Sequence, residues 1–250
     1  MTVVVRTQPR LVGGRIELMS PIGEGGCASV WLGRHRETNN LVAAKLVHAR
    51  QDHDHLAQRF QREAELSAGL VHRNLVRVHD YFREPDGQPV LLMEYLRGQT
   101  VEEVLQKQTS IPVDATVAIA VAVLRGLHQA HELGIIHRDI KPSNIFLAAE
   151  PDGVIIPKVL DFGIAKSSDI NAISLTQDGE VLGTPAYMSP EQVRGGEVDQ
   201  TTDIFSLGAV VYEMLTGKLA FAANTPGAAL AAVLERTIEP HPAIPERIWA

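Results

Sequence analysis

The sequence predicts an α+β fold in two lobes, a small antiparallel-sheet lobe with one helix followed by a larger, mainly helical lobe. Two observations carry this. Up to Tyr95 the apolar residues come mainly in short strand-like runs, and from Thr100 onward they recur mainly at helical spacing. The change falls near Arg97-Gly98, with no stretch long enough to be a disordered linker, so the two lobes are expected to face one cleft.

Each element follows from its local pattern. Residues 16–30 alternate around a glycine-rich turn and predict a hairpin, and residues 41–47 form a third strand. Residues 57–70 place Phe60, Ala64 and Ser67 at helical spacing among charges, which predicts one amphipathic helix. Strands are predicted over 75–82 and 90–95, separated by the turn Glu84-Pro85-Asp86-Gly87-Gln88-Pro89. Helices follow over 101–106 and over 113–133, the second ending at Gly134, and an apolar helix starts at Asp203 and runs to Leu215. The sequence has no internal repeat.

Composition narrows the function classes. With 45% hydrophobic and 21% charged residues in 250, the chain is expected to be a soluble globular enzyme. A formal net charge of −7 gives no global basic field to hold nucleic acid or an anionic membrane, and neither is expected as a partner. A single cysteine, Cys27, excludes an internal disulfide framework and fits a reducing compartment, so a cytoplasmic location is expected. The longest apolar stretch, residues 115–124, is too short to cross a bilayer, and residues 1–15 lack a signal-peptide core. Any membrane anchor of a full-length protein is expected outside this chain.

Candidate chemistry is densest in His137-Arg138-Asp139-Ile140-Lys141-Pro142-Ser143-Asn144, with another acid in Asp161-Phe162-Gly163. Phosphoryl transfer needs a carboxylate to orient and deprotonate a hydroxyl, a cation for the γ-phosphate and two oxygen ligands for Mg²⁺, and Asp139, Lys141, Asn144 and Asp161 suit these roles in that order. The stretch Ile22-Gly23-Glu24-Gly25-Gly26-Cys27-Ala28-Ser29-Val30 sits between two strands, so it reads as a flap over phosphates; a dinucleotide fingerprint would lead from strand to helix. A glycine-rich hairpin turn without a ligand is the plain alternative. Lys45, in Val42-Ala43-Ala44-Lys45, lies inside an apolar strand and needs anionic partners, which Glu63 and nucleotide phosphates can supply; a lysine snorkelling to the surface is the other reading. Asp52-His53-Asp54-His55 reads as a solvated turn, and His128 and His131 as packing or surface residues.

Taken together, these motifs resemble a eukaryotic-type serine/threonine protein kinase, most closely its bacterial receptor-type and soluble members. The resemblance covers residues 16–250, with a small lobe over about 16–95, a large lobe over about 96–250 and an N-terminal extension over 1–15. It implies Asp139 as catalytic base, Lys141 on the γ-phosphate, and Asn144 and Asp161 as metal ligands. The cofactors would be ATP and Mg²⁺, with Mn²⁺ as an alternative ion. Lys141 two places after the base, followed by Pro142, resembles the serine/threonine pattern and departs from that of tyrosine kinases.

By the same resemblance the nucleotide set comprises the residues from Ile22 to Val30, Ala43, Lys45, Glu63, Met93 as gatekeeper, the backbone of Glu94 and Leu96, and Phe146. Ala28 stands where a third glycine often occurs, and Thr100 where an acidic ribose ligand often occurs. Residues 161–191 resemble an activation loop closing in Ser189-Pro190-Glu191, with Ser189 in place of the usual alanine. Thr184 matches the threonine that bonds the base and its lysine and helps seat an acceptor hydroxyl, and Arg138 the residue that pairs with a phosphorylated loop. Thr176 is the expected phosphosite, modified in trans by a second copy of the chain, with Asp178 supplying part of a second negative charge; a solvated loop aspartate is the other reading of Asp178. Asp203 is expected to anchor the backbone around Arg138, and His137 and Phe162 to be buried and chemically passive. The partners implied are proteins with serine or threonine acceptors. The family continues past residues 242–250 with two helices, one carrying an arginine partner for Glu191, so either the chain is a fragment of a longer protein or its large lobe is incomplete and less stable. A nucleotide-binding scaffold without turnover is the alternative from another class, and a small-molecule kinase is a third.

Overall fold

The computed structural model describes residues 10–25, 28–48, 61, 69–161 and 185–246. They divide into two compact units, the first taking the residues up to Val71 and Val76–Leu96, the second taking His72–Leu75 and the residues from Arg97 onward. The flap tip Gly26 and Cys27, nearly all of the helix expected over 57–70 with Glu63, the Asp52 to His55 turn, Phe162, Thr176, Asp178 and Thr184 lie outside the described residues.

The first unit is an antiparallel sheet of six strands, β1 (Leu11–Val12), β2 (Ile16–Glu24), β3 (Ala28–His35), β4 (Leu41–Val47), β5 (Val78–Arg83) and β6 (Pro89–Glu94), in the order β1-β2-β3-β4-β6-β5. Side chains alternate across a strand, so Val42, Ala44 and Leu46 of β4 enter one core with Val12, Ile16, Leu18, Val90 and Leu92, while Ala43 and Lys45 take the other face. Side chains link β1 to the β5–β6 hairpin at the far end of the strand order. The Gly13 N–H donates to Glu84 Oε1 (2.5 Å), Arg15 pairs with Asp80 and lies 5.6 Å over the Phe82 ring, and Arg10 donates to Gln88 Oε1 (2.6 Å). Gly13 has φ +57 and a Cβ there would come within 2.7 Å of Phe82, so only glycine lets this corner close. The sheet thus begins before the boundary expected at Ile16.

The second unit contains a small sheet, β7 (Gly98–Thr100), β8 (Ile145–Ala149) and β9 (Ile155–Val159), and helices α1 (Val101–Lys107), α2 (Val113–Glu132), α3 (Pro190–Arg194), α4 (Thr201–Thr216) and α5 (Pro226–Glu235). The α1 and α2 boundaries lie within one residue of expectation. α1 starts at a capping box: Thr100 Oγ1 accepts the Glu103 N–H (3.1 Å) and the Thr100 N–H donates to Glu103 Oε2 (2.8 Å). α2 packs on α4 and β9 with Val123, Leu127 and Ala130 fully buried. By length and composition it is the one helix among the described residues that could cross a membrane; one face of it is buried in this unit, while Val117, Val121 and Leu124 are exposed. Gly126 permits the approach, since a Cβ there would meet Leu75 Cδ2 at 2.8 Å.

Leu75, expected to start a strand of the first sheet, belongs to the second unit. It bridges to Val159, the Val159 N–H donates to Asn74 O (2.8 Å), and Asn74 Nδ2 donates to Pro157 O (2.8 Å). These bonds pin residues 74–75 on β9, and the strand proper begins at Val78.

Candidate active site

Asn144 immediately precedes β8, Asp161 lies two residues beyond β9, and the register sets Ile145 opposite Val159. The Leu160 N–H donates to Asn144 O (2.9 Å), so the hairpin brings the two expected metal ligands to one end. The amide nitrogen Nδ2 of Asn144 donates to Asp139, at 2.8 Å from its carbonyl oxygen and 3.2 Å from Oδ2. Its Oδ1 remains an acceptor. Asp139 Oδ2 also receives Lys141 Nζ at 3.1 Å, with both side chains about a fifth exposed (21% and 23%). Asp139, Lys141 and Asn144 are therefore one cluster. Asn144 Oδ1 and the Asp161 carboxylate are hard oxygen donors, the kind that Mg²⁺ prefers while keeping several waters or phosphate oxygens.

The loop holding this cluster is anchored from below. Arg138 sits at φ +65, a conformation that costs a non-glycine residue about 1–3 kcal/mol and persists only where its surroundings over-determine it. Asp203 on α4, fully buried (0% exposed), supplies the restraint: Oδ1 accepts the Arg138 N–H (2.8 Å) and Oδ2 accepts the His137 N–H (2.9 Å). His131 Nε2 meets Oδ2 at 2.7 Å, so this histidine, expected as a packing or surface residue, serves the anchor. His137 is buried; its Nδ1 accepts the Asp139 N–H (3.2 Å), which leaves its proton on Nε2 to donate to Leu160 O (2.8 Å). The anchoring role expected of Asp203 and the burial expected of His137 are both present.

Residues 185–194 close against the same loop. Ser189 caps α3, its Oγ lying 3.4 Å from the Gln192 N–H and 3.1 Å from Thr202 Oγ1. Glu191 accepts from the Thr202 hydroxyl. Burial works against its charge, yet the bonds from Thr202, its own N–H and Ser189 together hold its carboxyl below the usual range. Tyr187 donates to Glu213 Oε2 (2.5 Å); burial first, then this bond, pushes the phenol far above its ordinary value, and burial raises the Glu213 carboxyl.

In the first unit Lys45 pairs with Val30 on β3 and Leu91 on β6, and Ala43 with Leu32 and Met93. Gly23 stands opposite Val30, and the Gly25 N–H closes the turn on Ala28 O (2.9 Å). A Cβ at Gly23 or Gly25 would meet its nearest neighbours only at 3.7 and 3.6 Å, ordinary contact, so packing among the described residues does not require glycine at either place. At Gly33 it does, since Ile16 Cγ2 lies at 2.7 Å. The Glu94 N–H donates to Arg77 O (2.9 Å) and its carboxylate accepts the Arg77 N–H (2.8 Å), which fixes this residue at the end of β6. Thr100, at the place of the absent acidic residue, is a helix cap, and Phe146 pairs with it across β7–β8.

The chain belongs to the protein kinase domain family, which matches residues 16–246. Members of this family use ATP and a divalent metal. The chain is 38% identical over 233 residues to a Clostridium perfringens protein named a probable serine/threonine-protein kinase, covering 92% of this chain and 33% of that one. It is 40% identical over 239 residues to the serine/threonine-protein kinase PksC of Streptomyces coelicolor (92% and 42%). It is 38% identical over 243 residues to Pkn1 of Myxococcus xanthus (96% and 34%). The chain thus spans about a third to two fifths of the length of these curated relatives.

Proposed function

We propose that this chain is the catalytic part of a serine/threonine protein kinase that transfers the γ-phosphoryl group of ATP to protein hydroxyls. The observation that carries the reading is the Asp139, Lys141, Asn144 cluster, held on a strained loop by buried Asp203. Asp139 orients the acceptor hydroxyl and takes its proton as the oxygen–phosphorus bond forms. The bond from the γ-phosphorus to its bridging oxygen breaks, and ADP leaves. Lys141, with its Nζ 3.1 Å from Asp139 Oδ2, balances charge on the moving group. Asn144 Oδ1 and Asp161 are the proposed ligands of Mg²⁺, with Mn²⁺ as a second ion of suitable donor preference; the metal neutralises phosphate charge when bound.

Lys45 binds the α- and β-phosphates and pairs with Glu63, the backbone of residues 22–30 covers them, and Thr184 seats the acceptor. The proposed adenine contacts of the first unit are Ala43, Met93 and the backbone of Glu94 and Leu96, and that of the second unit is Phe146. That Gly23 and Gly25 are not required by packing supports a close ligand there. Thr176 is the proposed autophosphorylation site, modified in trans by a second copy, and the cytoplasm is the proposed compartment. The scaffold alternative would call for loss of Lys45, Asp139, Asn144 or Asp161, and all four are present.

The test is incubation with labelled ATP and Mg²⁺ beside Lys45→Met, with phosphoamino-acid analysis of the product. Label on serine or threonine in wild type alone is expected. Nucleotide binding without label in any protein mixture would overturn the reading.

A further inference from the structure

Gln192, at the third position of α3, spends both ends of its amide. Its Oε1 accepts the Ser189 N–H (3.0 Å), completing the capping box, and its Nε2 donates to the Arg138 carbonyl (2.8 Å). The assignment is chemically forced, because a backbone N–H can only donate and a carbonyl can only accept. The Arg138 peptide is thereby gripped twice, its N–H by Asp203 and its carbonyl by Gln192, at the one residue of the loop with φ +65 and directly before Asp139.

We infer that Gln192 is a positioning residue for phosphoryl transfer: it couples the closing segment at Ser189 to the catalytic loop by holding the Arg138 carbonyl, and so fixes where Asp139 stands. This rests on the kinase reading above. The cap alone does not explain the residue. A capping box accepts glutamate as readily as glutamine, and a negative charge in the first turn of a helix is favourable. Only the second bond, to a carbonyl, demands an N–H donor, and Gln192 provides it from another part of the chain, 54 residues away.

Gln192→Glu separates the two roles, since it keeps the cap acceptor and replaces the donor with an oxygen that faces the Arg138 carbonyl. The full chain and this variant are compared for thermal unfolding, for kcat and ATP KM on a serine-containing protein substrate, and for amide hydrogen exchange over residues 136–141. We expect a melting temperature lowered by the loss of this one bond, a kcat lower by about tenfold, an ATP KM within about twofold of wild type and faster exchange at Arg138 and Asp139. Equal kcat and equal exchange would overturn the inference and leave the kinase reading intact. A wild type without transfer would overturn the kinase reading, and hydrogen exchange, which needs no turnover, would still report whether Gln192 holds the loop. Gln192→Ala, which loses cap and donor together, should show the same exchange increase with a lower melting temperature; slow exchange in both variants would also contradict the coupling.

Discussion

Replacing Asp203 by asparagine removes one acceptor oxygen from a fully buried site that serves three donors. The amide oxygen does best where Oδ2 was, facing the His137 N–H and His131 Nε2, which leaves the Arg138 N–H opposite an amide NH₂. One orphaned buried donor costs about 1–3 kcal/mol, and turning the other two bonds from charge-assisted to neutral costs about 1 kcal/mol each. The sum, about 3–5 kcal/mol, corresponds to a melting temperature lower by roughly 10 °C for a chain of this length. Arg138 is then free to leave its positive φ, so Asp139 moves, and a displacement of about 1 Å in a catalytic group can cost about a hundredfold in rate. Thermal unfolding and steady-state phosphorylation check both parts. A loss below about 1 kcal/mol, or a stable variant with wild-type kcat, would refute the view that Asp203 holds the loop.

Further outcomes follow from the same geometry. Gly98 has φ +143 and a Cβ there would meet Leu147 O at 2.0 Å, so Gly98→Ala should force β7 off β8 and cost about 3 kcal/mol or more in urea unfolding. Glu191 has a lowered pKa in the fold, so its contribution is present above the ordinary glutamate range and is lost as pH falls through the lowered value. Glu191→Gln should therefore melt lower than wild type near pH 7, and the two should converge only once pH has fallen through the lowered value, beneath the ordinary glutamate range.

Much of the fold was legible because strong local signals were not overruled. Residues 41–47 are an apolar run between paired strands, and α2 is long, periodic and ends at Gly134, which takes φ +70. The small sheet of β7, β8 and β9 was not foreseen, since strands of three and five residues leave no readable alternation; the turn at Pro151-Asp152-Gly153 was the available signal. Leu75 misled because an apolar residue before a strand reads as part of it, whereas Asn74, bonded to Pro157, decides its partner. The cluster at Asp139 was visible because it is compact in sequence. What supports it was not: His131 looks like any polar residue on a helix, and only the fold brings it 72 residues along to Asp203. The donor role of Gln192 was hidden for the same reason.

The most direct measurement is the single-turnover rate of γ-phosphoryl transfer by Asp139→Asn at saturating ATP and Mg²⁺, with nucleotide affinity measured alongside. If Asp139 is the base, the rate should fall by about 10²–10⁴ while nucleotide affinity stays within a few-fold of wild type. Transfer at a rate comparable to wild type would contradict the account.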